Sequence, residues 1–321
     1  MRKIPALIAI VGLSTVGLVG CSAGAAEACP RPSAVGQQTV DLITVTGSPD
    51  AAPDVSVYTP FHADTTAFAD LAVGQGVPIS TDDQLVVLDI SLFDGATGEP
   101  LVQTPYDGTD SAVFSLARWS ETFPSFTEAL HCATPGTRTV IALPPDGIAE
   151  QTASAVGIAA GDSAIAVVDV RKTYLPAADG ADQYNDALGM PTVVRAPDGR
   201  PGIIVPEAAP PADVVVQTLK KGDGAVVSAD APVRLAMTGV TWDDPRRTTF
   251  ADTWDAEPES VDLTTQSDAF RSAIEGKTVG SQILIVIPPD QVGDAVPSGV
   301  AEGSTLVYVV DILGVDAAPA S

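Results

Sequence analysis

The residues best suited to covalent or metal chemistry are few in this 321-residue chain: three cysteines (Cys21, Cys29, Cys132) and two histidines (His62, His131). No serine or cysteine stands in a pattern with a histidine and an acid that would mark a nucleophile and its base. The spacings of two cysteines and two histidines do not make a zinc site, so neither a metal nor another cofactor is expected. Cys21 reads differently. It follows Leu18-Val19-Gly20 at the end of an uncharged, mostly apolar run (residues 4–19) headed by Arg2 and Lys3. A basic head, an apolar stretch and small residues before a cut make a secretory signal, and a cysteine at the cut matches the bacterial lipobox. Residues 1–20 are therefore expected to be a lipoprotein signal peptide, with a lipid on Cys21. An uncleaved span is the alternative, but the run is at the short limit for a bilayer and carries Pro5. The mature chain is expected to be extracytoplasmic and anchored to the cell membrane by that lipid. In an oxidising compartment Cys29 and Cys132 are expected to form a disulfide, the alternative being two separate buried thiols.

Charge narrows the partners. Sixteen Lys and Arg face 41 Asp and Glu, a formal charge of −25; loss of Arg2 and Lys3 with the signal peptide takes it to −27. So acidic a chain has no footprint for nucleic acid. It is also repelled by anionic headgroups, so the lipid and not the protein surface must hold it to a membrane.

The elements that must position any site come from an internal repeat. FTEALHCATPGTRTVIALPPD (126–146) and FRSAIEGKTVGSQILIVIPPD (270–290) lie at a constant offset of 144 residues, Phe126 to Phe270 and Asp146 to Asp290. GDSAIAVVDV from Gly161 matches GSTLVYVVDI from Gly303, and VVLDISL from Val86 matches VRLAMTG from Val233. Blocks in one order at so long a period imply two globular copies. The expected layout is a tether at 21–37, a first copy at 38–175, a linker at 176–186 (small, polar, breaker-rich) and a second copy at 187–315. The tail after Leu313 reads as frayed. QILIVIPP and TLVYVVDIL are β-branched runs bounded by breakers, hence strands. Ala269, Phe270, Ala273 and Ile274 are at helical spacing, closed by Gly276, and Phe126, Ala129 and Leu130 repeat the pattern. Each copy is then α+β, a largely antiparallel sheet with one face covered by one short helix.

In the second copy, four segments in order resemble an FKBP domain: LKKGDGAVVSADAPVRLAMTGVTW from Leu219, TTFADTW from Thr248, FRSAIEGKTVGSQILIVIPP from Phe270 and GSTLVYVVDIL from Gly303. Together with the preceding PGIIVPEAAPPADVVVQ they resemble the FKBP lipoproteins of actinobacteria. The first copy resembles the same fold through GTRTVIALPPD and VVDV, as a degenerate member. The resemblance implies two FKBP-like domains, each a mainly antiparallel sheet wrapped around a short helix, with the site between them.

It also implies peptidyl-prolyl cis-trans isomerisation, which needs no nucleophile. Amide resonance sets a barrier of about 18–20 kcal/mol, so a dry pocket that favours the twisted amide suffices. Carried over by position, the floor aromatic is Phe270, the wall aromatic of the FD pair is Phe250, and the late strand aromatic is Tyr308. Met237 takes the place of the tyrosine in Y-T-G and Val261 that of a second wall aromatic. Gln266-Ser267 replace the pair whose backbone N–H meets the substrate carbonyl. Ala251 stands where the family has Asp, with Asp252 one residue later, and the loop PPDQVGDAVPSG lacks the family's tyrosine. In the first copy Ile90, Leu101 and Ala166 replace aromatics, Phe126 remains, and Phe114 is a candidate wall.

The function implied is a prolyl isomerase that assists folding of secreted proteins at the outer face of the membrane, acting as a monomer on proline-containing extended segments. The alternative is a non-catalytic FKBP-like chaperone or protein-interaction lipoprotein.

Overall fold

The structure, a computed structural model, describes residues 29–49, 51–108, 112–185, 188–243, 249–293 and 296–318. The signal segment and Cys21 lie outside the described residues. The first copy runs β1 (Ala34–Val35), α1 (Gln37–Val40), β2 (Ile43–Thr46), β3 (Asp54–Val57), β4 (Ala67–Ala72), β5 (Leu85–Asp94), β6 (Pro100–Gln103), β7 (Val113–Ser115), α2 (Leu116–Thr122), α3 (Phe126–Leu130), β8 (Arg138–Leu143), α4 (Glu150–Val156) and β9 (Ala164–Thr173). The second runs β10 (Ala181–Asp182), β11 (Thr192–Arg195), β12 (Pro201–Ile204), β13 (Val215–Lys221), β14 (Val233–Thr241), β15 (Thr249–Asp252), β16 (Glu259–Val261), α5 (Asp268–Ile274), β17 (Gln282–Ile287) and β18 (Leu306–Val315).

Each copy builds one antiparallel sheet, and the two orders are the same. The first reads β1-β4-β8-β9-β5-β6 with β7 beside β5; the second reads β10-β13-β17-β18-β14-β15 with β16 beside β14. Even the polar pair at the centre repeats. Arg138 lies opposite Asp169, and Gln282 opposite Asp311. Arg138 donates two buried hydrogen bonds to Asp169, at 2.7 and 2.8 Å. Gln282 Nε2 donates to Asp311 Oδ1 at 2.7 Å. The fold is α+β in both copies.

Both faces of each sheet are covered, which the sequence reading did not foresee. One face of the first sheet packs on α3 through Phe126, Ala129 and Leu130. The other packs on the β2–β3 hairpin through Val45, Val55 and Val57. In the second copy β11 and β12 pair as the equivalent hairpin and bring Val193 and Ile203 to Leu284, Val286, Val307 and Val309. Hence β8 and β17 are buried at every position instead of alternating. The first copy also carries α2 and α4 where one helix was expected.

Three expected boundaries move. Residues 21–37 do not read as a free tether from Cys29 onward: Cys29 is disulfide-bonded to Cys132, and β1 pairs with β4. Arg31 donates to both oxygens of Asp70, at 2.7 and 2.8 Å. Such a two-pronged match fixes a segment that composition alone marks as loose. The linker at 176–186 is largely built in. Ala178 is buried and donates its N–H to Asp311 at 2.8 Å, while β10 is an edge strand on β13. Small residues that look like spacers are also those that pack closest. Beyond Leu313, β18 continues to Val315, and Asp316 accepts hydrogen bonds from Tyr174 Oη (2.6 Å) and Arg234 Nε (2.9 Å).

The Tyr174 bond joins the copies. Leu175 N–H donates to the Leu313 carbonyl at 3.0 Å, and Lys172 Nζ to the Val315 carbonyl at 2.8 Å. Tyr174, almost wholly buried, lies over Gly314, where an added Cβ would come within 2.5 Å of its ring.

Candidate functional site

Strands β14, β15, β16 and β18, the start of α5 and the loop after β17 enclose a cavity of about 330 Å³. Its lining includes all seven positions singled out in the second copy: Met237, Phe250, Val261, Gln266, Ser267, Phe270 and Tyr308. Pairing explains the convergence. Gly239 on β14 stands opposite Ala251 on β15 and Tyr308 on β18, so three strands meet at one rung. Gly239 is needed there, since a Cβ would lie 2.7 Å from the Phe250 ring.

The aromatic wall is built edge to face. Tyr308 meets Phe250 at 5.1 Å between centroids with planes 87° apart, and Phe270 at 5.4 Å and 71°. Both are the T-shaped geometry that the ring quadrupoles favour. Tyr308 is 9% exposed, and burial alone pushes its hydroxyl well above the ordinary tyrosine range. Among the described residues no side chain or backbone group bonds that hydroxyl. It is therefore a neutral donor held among aromatic rings.

Helix α5 presents Phe270. Ser267 caps it, its Oγ accepting from the Phe270 N–H at 3.3 Å, Asp268 sits in its first turn, and Gly276 follows its end in the left-handed conformation (φ 78°). Of the Gln266-Ser267 pair, the Gln266 N–H bonds the Leu263 carbonyl at 3.3 Å, closing a 3-10 turn, and the Ser267 side chain serves the cap. Asp252 also lines the cavity together with Ala251. Its carboxylate is neutralised by Arg200 and accepts from the Trp254 N–H at 3.0 Å. Arg200 simultaneously grips Asp255 through both guanidinium nitrogens, at 2.7 Å each.

The remaining lining (Glu259, Ile287, Val292, Pro297 and Leu306) was not singled out from the sequence. Ile287 and Leu306 are register partners across β17 and β18, so the two matched strand blocks pointed toward them. Val292 and Pro297 stand in the loop that lacks a tyrosine, where composition gave no signal. Two further hollows open beside the cavity. One of about 540 Å³ shares Phe250 and is walled by Thr241, Thr249 and Ser298 to Ala301. The other, about 490 Å³, shares Gln266, Ser267 and Val292. The three make a cleft with the aromatic rings at its centre.

In the first copy the same place is filled. Phe126 is wholly buried and stacks on Phe123 at 4.6 Å with planes 16° apart. Phe123, three residues before Phe126, stands where the second copy has Ser267. Ile90, Ala166 and Leu101 join the same core, with Ile148 and Ile158 flanking α4. Phe114 is turned to Trp119 (5.5 Å) and to the Arg118 guanidinium (4.2 Å).

Outside this cleft, Cys29, His131 and Cys132 bring potential ligand atoms within 4.8 Å of one another. Both sulfurs are engaged in the disulfide.

No family model matches the sequence, and a search of curated proteins returns no match. Among solved structures, similarity is found to the three FKBP domains of wheat FKBP73, at 16% identity over 78% of this chain and 94% of that one, TM-score 0.33. FkpA from Escherichia coli is 24% identical over 42% of this chain, TM-score 0.31, and this chain spans 55% of its length. A peptidyl-prolyl cis-trans isomerase from Pseudomonas syringae pv. tomato is 19% identical over 41% of this chain and 84% of that one, TM-score 0.29.

Proposed function

We propose that the second copy binds extended polypeptide segments with a proline ring in the Phe250–Phe270–Tyr308 cavity, and that it accelerates cis-trans isomerisation of the preceding amide. The observation that carries this is the closure of three edge-to-face aromatic rings on one side of the cavity, with one free hydroxyl among them. An aromatic floor and wall disfavour the planar amide, which has the larger dipole, relative to the twisted one. Donation from Tyr308 Oη to the substrate stabilises the bound chain where the loop tyrosine is missing. The hollows on either side accept the residues before and after the proline. The leader and Cys21 support a membrane-tethered, extracytoplasmic chain whose substrates are secreted chains still folding.

A protease-coupled assay of a Leu-Pro peptide with the full described chain tests this. Acceleration that saturates with peptide is expected. A folded chain that binds the peptide without acceleration would replace catalysis by holding, and absence of both would remove the cavity as a peptide site.

A further inference from the structure

We propose that the first copy is a brace for the cavity of the second, and that Ser115 and Arg118 are positioning residues acting through Glu257; this rests on the reading of that cavity as the peptide site. The wall strands β15 and β16 are joined by residues 253–258, so the placing of Phe250, Asp252, Glu259 and Val261 depends on that loop. Within the second copy the loop is held chiefly in its first half. The Met237 N–H donates to Thr253 Oγ1 at 2.8 Å, and Arg200 holds Asp255.

Its second half is also held from the first copy. Ser115 donates to Glu257 Oε1 through its Oγ at 3.0 Å and its N–H at 3.3 Å, and Arg118 Nη1 lies 3.6 Å from Glu257 Oε2. Trp254, and Val77 of the first copy, both pack against Leu175, Ala236 and Leu313. The donors are themselves fixed. Ser115 is the last residue of β7 and the cap of α2, accepting from the Arg118 N–H at 3.3 Å. The Arg118 guanidinium stacks on Phe114, the residue read from sequence as a candidate wall. Phe114, Ser115 and Arg118 thus present a rigid corner to the neighbour's loop, while Phe123 plugs the first copy's own cavity.

The test compares Glu257→Ala with Glu257→Gln in the full chain; glutamine keeps a carbonyl for the Ser115 donors. Amide exchange at residues 252–258 is expected to quicken about threefold to tenfold in the alanine variant, the scale of one lost hydrogen bond. KM for a Leu-Pro peptide is expected to rise by a similar factor, with the glutamine variant, which keeps the Ser115 bonds and loses the Arg118 charge, between wild type and alanine on both readouts and protection of β17 and β18 unchanged. Unmoved exchange, unmoved KM despite faster exchange, or loss of protection spreading into β17 and β18 would each overturn the brace. A wild-type chain without isomerase activity would remove the earlier reading, and exchange at 252–258 would then decide the brace by itself.

Discussion

Tyr308 combines two properties that pull apart in most side chains: it is walled by rings on two sides, and its hydroxyl has no partner among the described residues. A lone donor in such a place is poised to meet a ligand acceptor, since leaving it unmatched in a filled site costs about 1–3 kcal/mol. Replacing it by phenylalanine keeps the edge-to-face packing and removes the donor. Tyr308→Phe is therefore expected to lower the isomerisation rate about fivefold to tenfold, the worth of one hydrogen bond of roughly 1 kcal/mol, while leaving the melting temperature within a few degrees. Steady-state kinetics beside a thermal melt checks it; equal losses in activity and stability would speak for a packing role alone.

At the scale of elements, the difference between an open and a closed copy comes down to what stands one helical turn before the floor aromatic. Phe123 stacks on Phe126, whereas Ser267 leaves space over Phe270. Ser267→Phe is expected to fill the cavity as the first copy fills its own. Peptide binding should be abolished, at a cost of about 1 kcal/mol from the lost cap, read by titration and by denaturant midpoint. Retained binding in a folded variant would mean that the ligand enters elsewhere. These elements were legible to different degrees. The sequence blocks at Val86, Phe126 and Gly161 and their partners identified β5, α3, β8 and β9 and their equivalents, because β-branched runs and a short apolar helix have strong periods. The two hairpins were missed, since β2, β3, β11 and β12 are short and half exposed and their valines alternate too briefly to register. The built-in linker was missed because Ala178 is buried through a backbone bond to Asp311, which no side-chain pattern announces.

For the molecule as a whole, the pin between the copies carries a titratable group. Asp311 is buried, and desolvation raises its carboxyl to about 6, opposed by the hydrogen bonds from Ala178 and Gln282. Its folded pKa thus lies above the ordinary aspartate range, so the folded chain binds this proton more tightly than the unfolded chain. This contribution to stability is fully present below that range and is lost as pH rises through about 6. Denaturant midpoints for the wild type minus those for Asp311→Asn are expected to rise as pH falls from 7 to 5. A flat difference would show that the carboxyl does not titrate there. The two copies have meanwhile become mutually dependent through Tyr174, which ends the first sheet yet is buried over Gly314 in the second. Deleting either copy would strand that ring in water or uncover the strand beneath it. Repeats are ordinarily separable units, but the burial of Tyr174 over Gly314 makes each copy part of the other's cover.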